Sequence, residues 1–260
     1  MRCRLLLPAV FSLLWSPTLF AAPIANPVEW TIGGDTFAGV LVYDDAVKQP
    51  RPGLVMVPNW KGVNDSAIEK ARLVAGDDYV VLVADVYGKG IRPKTDAEAG
   101  PVATAMRADR PKLRARVQKA VEVLKQQPGT LVDVTRIGAF GYCFGGSTVL
   151  ELVRAGDALS GVVSLHGGLA TDLPAAGPVK SPVLVLNGGD DTYVSAAEIT
   201  AFQDEMRKAG ADWQSVSFGG AVHCFAESDA QNPPGCVYHA PSARRAYRMM
   251  ADFFEDVFAK

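Results

Sequence analysis

The sequence predicts an α/β fold, a mainly parallel central sheet with helices on both faces. Three observations predict it. Beyond residue 22, short apolar β-rich runs alternate with stretches of helical spacing. Several of those runs are apolar without alternation, the pattern of strands buried on both faces. One of them passes straight into a helix-compatible run through the glycine-flanked turn Gly141-Tyr142-Cys143-Phe144-Gly145-Gly146. Repeated strand–helix units imply parallel pairing and right-handed crossovers. Functional groups in such sheets gather at the carboxyl ends of the strands.

Taken in order, Trp30-Thr31-Ile32 and Phe37 to Tyr43 read as an opening hairpin turned by Gly33-Gly34-Asp35. Gly53 to Pro58 reads as a strand buried on both faces, and Ser66 to Ala75 as a helix with Ile68, Ala71 and Leu73 to bury. Tyr79 to Ala84 is a second buried strand. A longer helix follows Pro111, with Leu113, Val117, Ala120, Val121 and Leu124 at helical spacing. The Ile137–Phe140 strand leads into the glycine-flanked turn, and Ser147 to Leu152 continues as a helix. Ser160 to Leu165, Pro182 to Leu186 and Trp213 to Phe218 are further strands. Ala196 to Met206 is a helix with Ile199, Phe202 and Met206 on one side. Ala243 to Phe258 closes the chain as a helix burying Ala246, Met249, Met250, Phe253 and Val257.

The first 22 residues have another character. Met1-Arg2-Cys3-Arg4 precedes an apolar run from Leu5 to Trp15, and small residues follow at Ala21-Ala22. A basic start, a short apolar core and a small-residue end describe a secretory signal peptide. The run is short for a membrane span; an uncleaved N-terminal anchor is the alternative. Residues 23–260 are then one α/β domain by size, periplasmic or secreted. The full chain of 260 residues has net charge −2, and losing Arg2 and Arg4 takes the remainder to about −4. No basic block marks a nucleic-acid partner, and no membrane contact is expected after cleavage. Cys143, Cys224 and Cys236 remain. An oxidising destination permits one disulfide and one free thiol. Pairing Cys224 with Cys236 leaves Cys143 free; all three reduced is the alternative.

Strand, Gly-x-nucleophile-x-Gly, helix is the layout of a nucleophile elbow, here with Cys143 at the centre. The turn sets the thiol at a helix N-terminus, whose partial positive charge and free N–H groups favour a thiolate and a developing oxyanion. A small buried thiol in a glycine-rich turn is the plain alternative. Partners lie on loops after later strands. Asn187-Gly188-Gly189-Asp190-Asp191 follows one, and Gly219-Gly220-Ala221-Val222-His223-Cys224-Phe225 follows another. Asp190 and Asp191 compete as the acid, and either could simply tighten the turn. Of three histidines, His223 sits where a base belongs. His166, after the strand that follows the elbow, is its rival or a structural residue, and His239 is a surface or helix-start residue. The scattered histidines predict no metal, the Gly-Gly pairs are too short for phosphate loops, and no cofactor is implied.

Together these segments resemble the dienelactone hydrolase, or carboxymethylenebutenolidase, family. The resemblance rests on Gly141 to Gly146, Gly188-x-x-Asp191-x-x-Val194, Gly220-Ala221-Val222-His223-x-Phe225 and Ala84-Asp85-Val86-Tyr87, and spans nearly all of the chain after residue 22. It implies an α/β-hydrolase fold and a Cys143–Asp191–His223 triad, with Asp191 rather than Asp190 as the acid. It also implies an oxyanion hole from the backbone N–H groups of Phe144 and Trp60. Two departures stand out. Family members carry a glutamate, thought to help ionise the nucleophile, where this chain has Asn59, which cannot accept a proton at neutral pH. Glu227 stands near where dienelactone-cleaving members hold the substrate carboxylate with an arginine, and a glutamate there repels one.

The expected reaction is attack by Cys143 on an acyl carbon, with His223 as base and then acid and Asp191 orienting the imidazole. The substrate is a small-molecule ester or lactone with a good leaving group. Asn59, Tyr87, Tyr142 and Phe225 are candidate substrate-binding residues beside Trp60 and Phe144. The basic run Arg107, Arg110, Lys112, Arg114, Arg116 reads as a solvated helix face rather than an anion site. Two other functions compete: a periplasmic thiol redox protein, which lacks a C-x-x-C motif here, and a binding protein that kept the fold and lost catalysis.

Overall fold

The structure is a computed structural model that describes residues 23–128 and 131–259. The signal-peptide reading of residues 1–22 lies outside the described residues. An eight-stranded sheet runs in the order β1-β2-β4-β3-β5-β6-β7-β8. Its strands are β1 (Ile24–Ile32), β2 (Asp35–Tyr43), β3 (Arg51–Val57), β4 (Val80–Val83), β5 (Val132–Tyr142), β6 (Gly161–Leu165), β7 (Val183–Gly188) and β8 (Trp213–Phe218). β2 pairs antiparallel with β1 and β4, and every pairing from β4 to β8 is parallel. A small antiparallel hairpin, β9 (Gln231–Asn232) and β10 (Cys236–Val237), lies after β8.

The period-2 pattern sorts each central strand between two cores. Val55 and Val57 of β3, with Val80 and Leu82 of β4, face one side, and Leu54, Met56, Val81 and Val83 face the other. On the first side lie α2 (Asp96–Ala108), α3 (Arg110–Lys125), α4 (Phe144–Ala155) and α5 (Ala196–Lys208). On the second lie α1 (Asp65–Ala75) and α6 (Ala240–Phe258). This is the mainly parallel, doubly covered sheet that the alternation of elements predicts.

Two local expectations fail for physical reasons, and one helix escapes the sequence pattern. Leu73 is exposed, because α1 packs through Ala67, Lys70, Ala71 and Ala75 instead. A lysine occupies the buried stripe because its ammonium finds carboxylates at its far end. The helix α2 carries Pro101 in its interior, which masks it in a pattern search because proline ordinarily ends a helix. The last helix starts three residues earlier than its apolar spacing suggests, with Pro241 in the first turn, where its missing N–H costs nothing.

Candidate active site

β5 ends at Tyr142 and α4 begins at Phe144, so Cys143 alone makes the turn. Its backbone sits at φ +52°, ψ −114°, an unfavourable region for a residue with a side chain. The Cys143 N–H answers this strain by donating to the Leu165 carbonyl at 3.0 Å and to His166 Nδ1 at 3.2 Å. Gly145 is obligatory at this corner: a Cβ there would collide with the Val57 carbonyl oxygen at the end of β3. Among the described residues, the non-glycine positions with positive φ are Cys143, His166 and Cys224. All three border this one corner, where strain is typically stored.

Cys143 caps α4 without using its side chain in a capping bond. The Phe144 N–H is therefore open beside the thiol. The second open N–H belongs to Trp60. Asn59 to Gly62 form a tight turn in which Gly62 N–H donates to the Asn59 carbonyl at 2.9 Å and Lys61 N–H to Asn59 Oδ1 at 3.1 Å. The Tyr87 hydroxyl donates to the Trp60 carbonyl at 3.0 Å. Neither the Trp60 nor the Phe144 N–H has an acceptor among the described residues.

The loops after β7 and β8 bring Asp191 and His223 together. His223 Nδ1 lies 2.7 Å from Asp191 Oδ2, and Asp191 Oδ1 accepts the Tyr193 N–H at 2.8 Å. Asp190, its neighbour, is exposed. Burial disfavours a charged imidazole at position 223. Hydrogen bonds and charge from Asp191 and the Cys143 side chain outweigh it and raise the His223 pKa to about 10.

His166 is fully buried, its ring 5.2 Å from that of His223. Burial first, then the charge of His223, hold its pKa well below the ordinary histidine value. Because Nδ1 accepts the Cys143 N–H, a neutral His166 carries its proton on Nε2. His166 thus braces the elbow as a neutral ring, whereas His223 is the histidine paired with Asp191. His239 caps α6, its Nδ1 2.8 Å from Ser242 Oγ.

A cleft of about 640 Å³ opens over Cys143 and His223, with Asn59, Trp60 and Glu227 in its wall. Three expected substrate-binding residues are corrected. Tyr142 is buried and shares a 2.8 Å hydrogen bond with Tyr247, and Phe225 is buried between His166 and Phe218. Tyr87 is buried against the Phe144 ring, 5.3 Å between centroids, and supports the Asn59–Gly62 turn through its bond to the Trp60 carbonyl. None of the three lines the cleft. Their apolar bulk fills the space under the strand ends, which is where aromatic rings gain most from burial. A larger groove of about 1240 Å³ between α1 and α6 contains none of Cys143, Asp191 and His223.

Glu227 and the basic run are also reassigned. Glu227 is 3% exposed, accepts from Asn59 Nδ2 at 2.6 Å and lies 3.3 Å from Lys70 Nζ. Burial raises its pKa, against the opposing pull of Lys70 and Asn59. The basic run is only partly a solvated face: Arg107 and Lys112 are exposed, and the other three turn inward. Arg110 and Arg114 donate to the fully buried Glu151, which Arg154 also meets. Arg116 is buried against the carbonyls of Val86 and Tyr87. Arg107 remains exposed, its guanidinium over the Phe144 ring at 5.3 Å, and lines the cleft.

Tyr193, 63% exposed, was not singled out by sequence; its ring stands edge-on to His223 at 5.1 Å in the cleft wall. Its place within two residues of Asp191 is the only sequence signal for it. The hairpin residues Gln231 and Asn232 also reach the cleft. Cys224 and Cys236 form a disulfide, with Cα atoms 4.9 Å apart, and Cys143 is a free thiol. The disulfide pins the hairpin to the segment that carries His223. Val237 N–H donates to the His223 carbonyl and His239 N–H to that of Phe225, both at 3.1 Å.

Residues 37–258 match the dienelactone hydrolase family. A solved structure named m3DLH is similar at TM-score 0.86 and 35% identity, covering 92% of this chain and all of that one. A dienelactone hydrolase-like promiscuous phosphotriesterase from metagenomic libraries is similar at 0.85 and 35% identity, with the same coverage. The carboxymethylenebutenolidase of Pseudomonas putida is 28% identical over 170 residues, 63% of this chain and 70% of that protein.

Proposed function

This chain belongs to the dienelactone hydrolase family, and on that premise we propose that residues 23–260 act as a cysteine-dependent esterase for activated carboxylic esters. The observation that carries the reading is the alignment of Asp191, His223 and Cys143 beside two open N–H groups. A cationic His223 supplies the counter-charge for a Cys143 thiolate. Sγ attacks the acyl carbon, and the carbonyl oxygen takes the negative charge between the Trp60 and Phe144 N–H groups. The C–O bond then breaks, and the imidazolium of His223 gives its proton to the departing oxygen. The remaining thioester is attacked by a water whose proton passes back to His223. The C–S bond breaks, releasing the carboxylic acid and restoring the thiolate. Asp191 holds Nδ1 throughout, so Nε2 stays aimed at the reaction.

Sulfur decides the substrate class. A thiol with pKa of about 8.5 leaves far more easily than an ordinary alkoxide, so an alkyl ester intermediate reverts. Enol lactones, aryl esters and thioesters release groups that compete with sulfur. A Cys224–Cys236 disulfide fits the oxidising, periplasmic or secreted destination. It also occupies the partners that a redox cycle of Cys143 would need. Among the described residues no helix is long and apolar enough to cross a membrane.

The test is a panel of enol, aryl and alkyl esters on the wild type and Cys143→Ala, with intact-protein mass during turnover. A phosphotriester joins the panel because a 35% identical relative is described as a promiscuous phosphotriesterase. The expected result is an acyl adduct on Cys143, turnover of enol and aryl esters well ahead of alkyl esters, and an inert Cys143→Ala. Equal hydrolysis by Cys143→Ala, or equal rates on alkyl and aryl esters, would refute it.

A further inference from the structure

We infer that Glu227 is a positioning residue that holds the Trp60 half of the oxyanion hole in place beside the Phe144 half. The inference rests on the reading of Cys143 as nucleophile with Trp60 and Phe144 N–H groups as oxyanion donors.

Asn59 is the hinge of the argument. Its Oδ1 accepts the Lys61 N–H and its main-chain carbonyl accepts the Gly62 N–H, so the side chain and the turn are one unit. Its remaining polar atom, Nδ2, donates to Glu227 Oε2 at 2.6 Å. Removing that acceptor leaves Nδ2 unpaired and the Asn59–Gly62 turn without its lateral hold. The Trp60 N–H is carried on that turn. Glu227 also lies near the other half. Its Oε1 lies 3.9 Å from His166 Nε2, and His166 Nδ1 accepts the Cys143 N–H at the elbow. The Oε1–Nε2 separation is longer than a hydrogen bond, and Nε2 has no hydrogen-bond partner among the described residues. Glu227 is therefore bonded to the turn after β3, and it lies beside, without bonding, the histidine that braces the elbow after β5.

Glu227 is itself held from the far side. Lys70 Nζ lies 3.3 Å from Oε2 and 2.7 Å from Asp229 Oδ1, and it also bonds Ser66 Oγ. The ammonium neutralises the carboxylate and fixes its plane. This explains why α1 buries Lys70 in its packing stripe. It also accounts for an asparagine at position 59: Asn59 gives Glu227 a donor, whereas a glutamate there would set two carboxylates against each other in a buried space.

The test uses Glu227→Ala, Glu227→Gln, Asn59→Ala and the double variant Asn59→Ala/Glu227→Ala. Each is assayed on an aryl ester, and Cys143 is alkylated with iodoacetamide, a reaction that forms no oxyanion. Losing an oxyanion donor outright costs about 10²–10³-fold in kcat. Here the donor is displaced rather than removed, so Glu227→Ala is expected to lower kcat about tenfold. KM and the alkylation rate stay within about twofold. Glu227→Gln, which keeps an acceptor for Asn59 Nδ2, stays within about threefold of wild type. The double variant is no slower than Asn59→Ala, because the two residues act as one device. Three results would overturn the inference. They are kcat and alkylation falling together, Glu227→Gln falling as far as Glu227→Ala, or losses that multiply in the double variant. A wild type that neither turns over the ester nor acylates Cys143 is a different outcome, and it overturns the hydrolase reading itself.

Discussion

Replacing Cys224 and Cys236 together by alanine tests whether the disulfide is what holds the His223 segment against the hairpin. The two residues are separated by 12 positions in sequence. Closing a loop of that length in the unfolded chain removes chain entropy worth about 3 kcal/mol at room temperature. Alanine is chosen over serine because Cys224 is buried, and a hydroxyl there would add the cost of an unpaired polar group. The positive φ at Cys224 is as acceptable to alanine as to cysteine. The expected loss is therefore about 3 kcal/mol in urea unfolding, or a fall in Tm of roughly 6–12 °C for a domain of this size. Main-chain bonds from Val237 and His239 remain in the variant, so the fold persists while the hairpin loosens. Turnover of an aryl ester falls with it, because small displacements of a catalytic base cost rate steeply. Equilibrium unfolding followed by tryptophan fluorescence, without reductant, reads the stability. A loss below about 1 kcal/mol refutes the reasoning, since the cross-link would then be restraining no freedom in the unfolded chain.

Asp191→Asn leaves the His223 ring in place but removes its charged partner. We expect kcat on an aryl ester to fall about 10³–10⁴-fold and the His223 imidazole, followed by nitrogen chemical shift, to titrate well below 10; a loss under tenfold speaks against the orienting role. The two histidines set opposite pH limbs of stability. His223 holds its proton in the folded state up to about 10, so its contribution is whole below the unfolded value of about 6.5 and is lost as pH rises through 10. His166 is buried neutral, so unfolding takes up a proton below about pH 6.5 and stability falls as pH drops. Urea midpoints from pH 5 to 10 should trace both limbs, and Asp191→Asn should flatten the alkaline one. Glu151→Ala removes the fully buried carboxylate shared by Arg110, Arg114 and Arg154, leaving Arg110 only the exposed Asp172 and Arg154 only Glu205 as carboxylate partners. The expected cost is about 3–5 kcal/mol in urea unfolding, with KM for a neutral ester unchanged.

Much of this protein is legible in local chemistry. The apolar runs of β3 and β4 mark buried strands because both faces of a parallel sheet are covered. The Gly141–Gly146 turn marks the elbow because only a glycine at 145 clears the Val57 carbonyl. Asp191 and His223 stand out because loops after parallel strands converge at one edge. What stays hidden is of one kind. Leu73 and Lys70 exchange places relative to an apolar-stripe rule, because the Lys70 ammonium reaches Glu227 and Asp229 more than 150 positions away. Tyr142 and Phe225 look like pocket residues by position, yet they face the core because their backbone aims them inward.

Glu227 shows where the boundary lies. By type and position it reads as a charge set against an anionic substrate. In the fold it is a buried acceptor tied to Asn59, 168 positions earlier. Periodicity, turn chemistry and the order of Cys143, Asp191 and His223 are properties of the chain itself, and it carries them before it folds. The partner of a buried charge is chosen only when distant segments meet, because solvation and pairing energies depend on what surrounds the group in three dimensions. Tertiary packing therefore decided which carboxylate bonds the Asn59–Gly62 turn, which histidine can be cationic, and which aromatics reach the cleft.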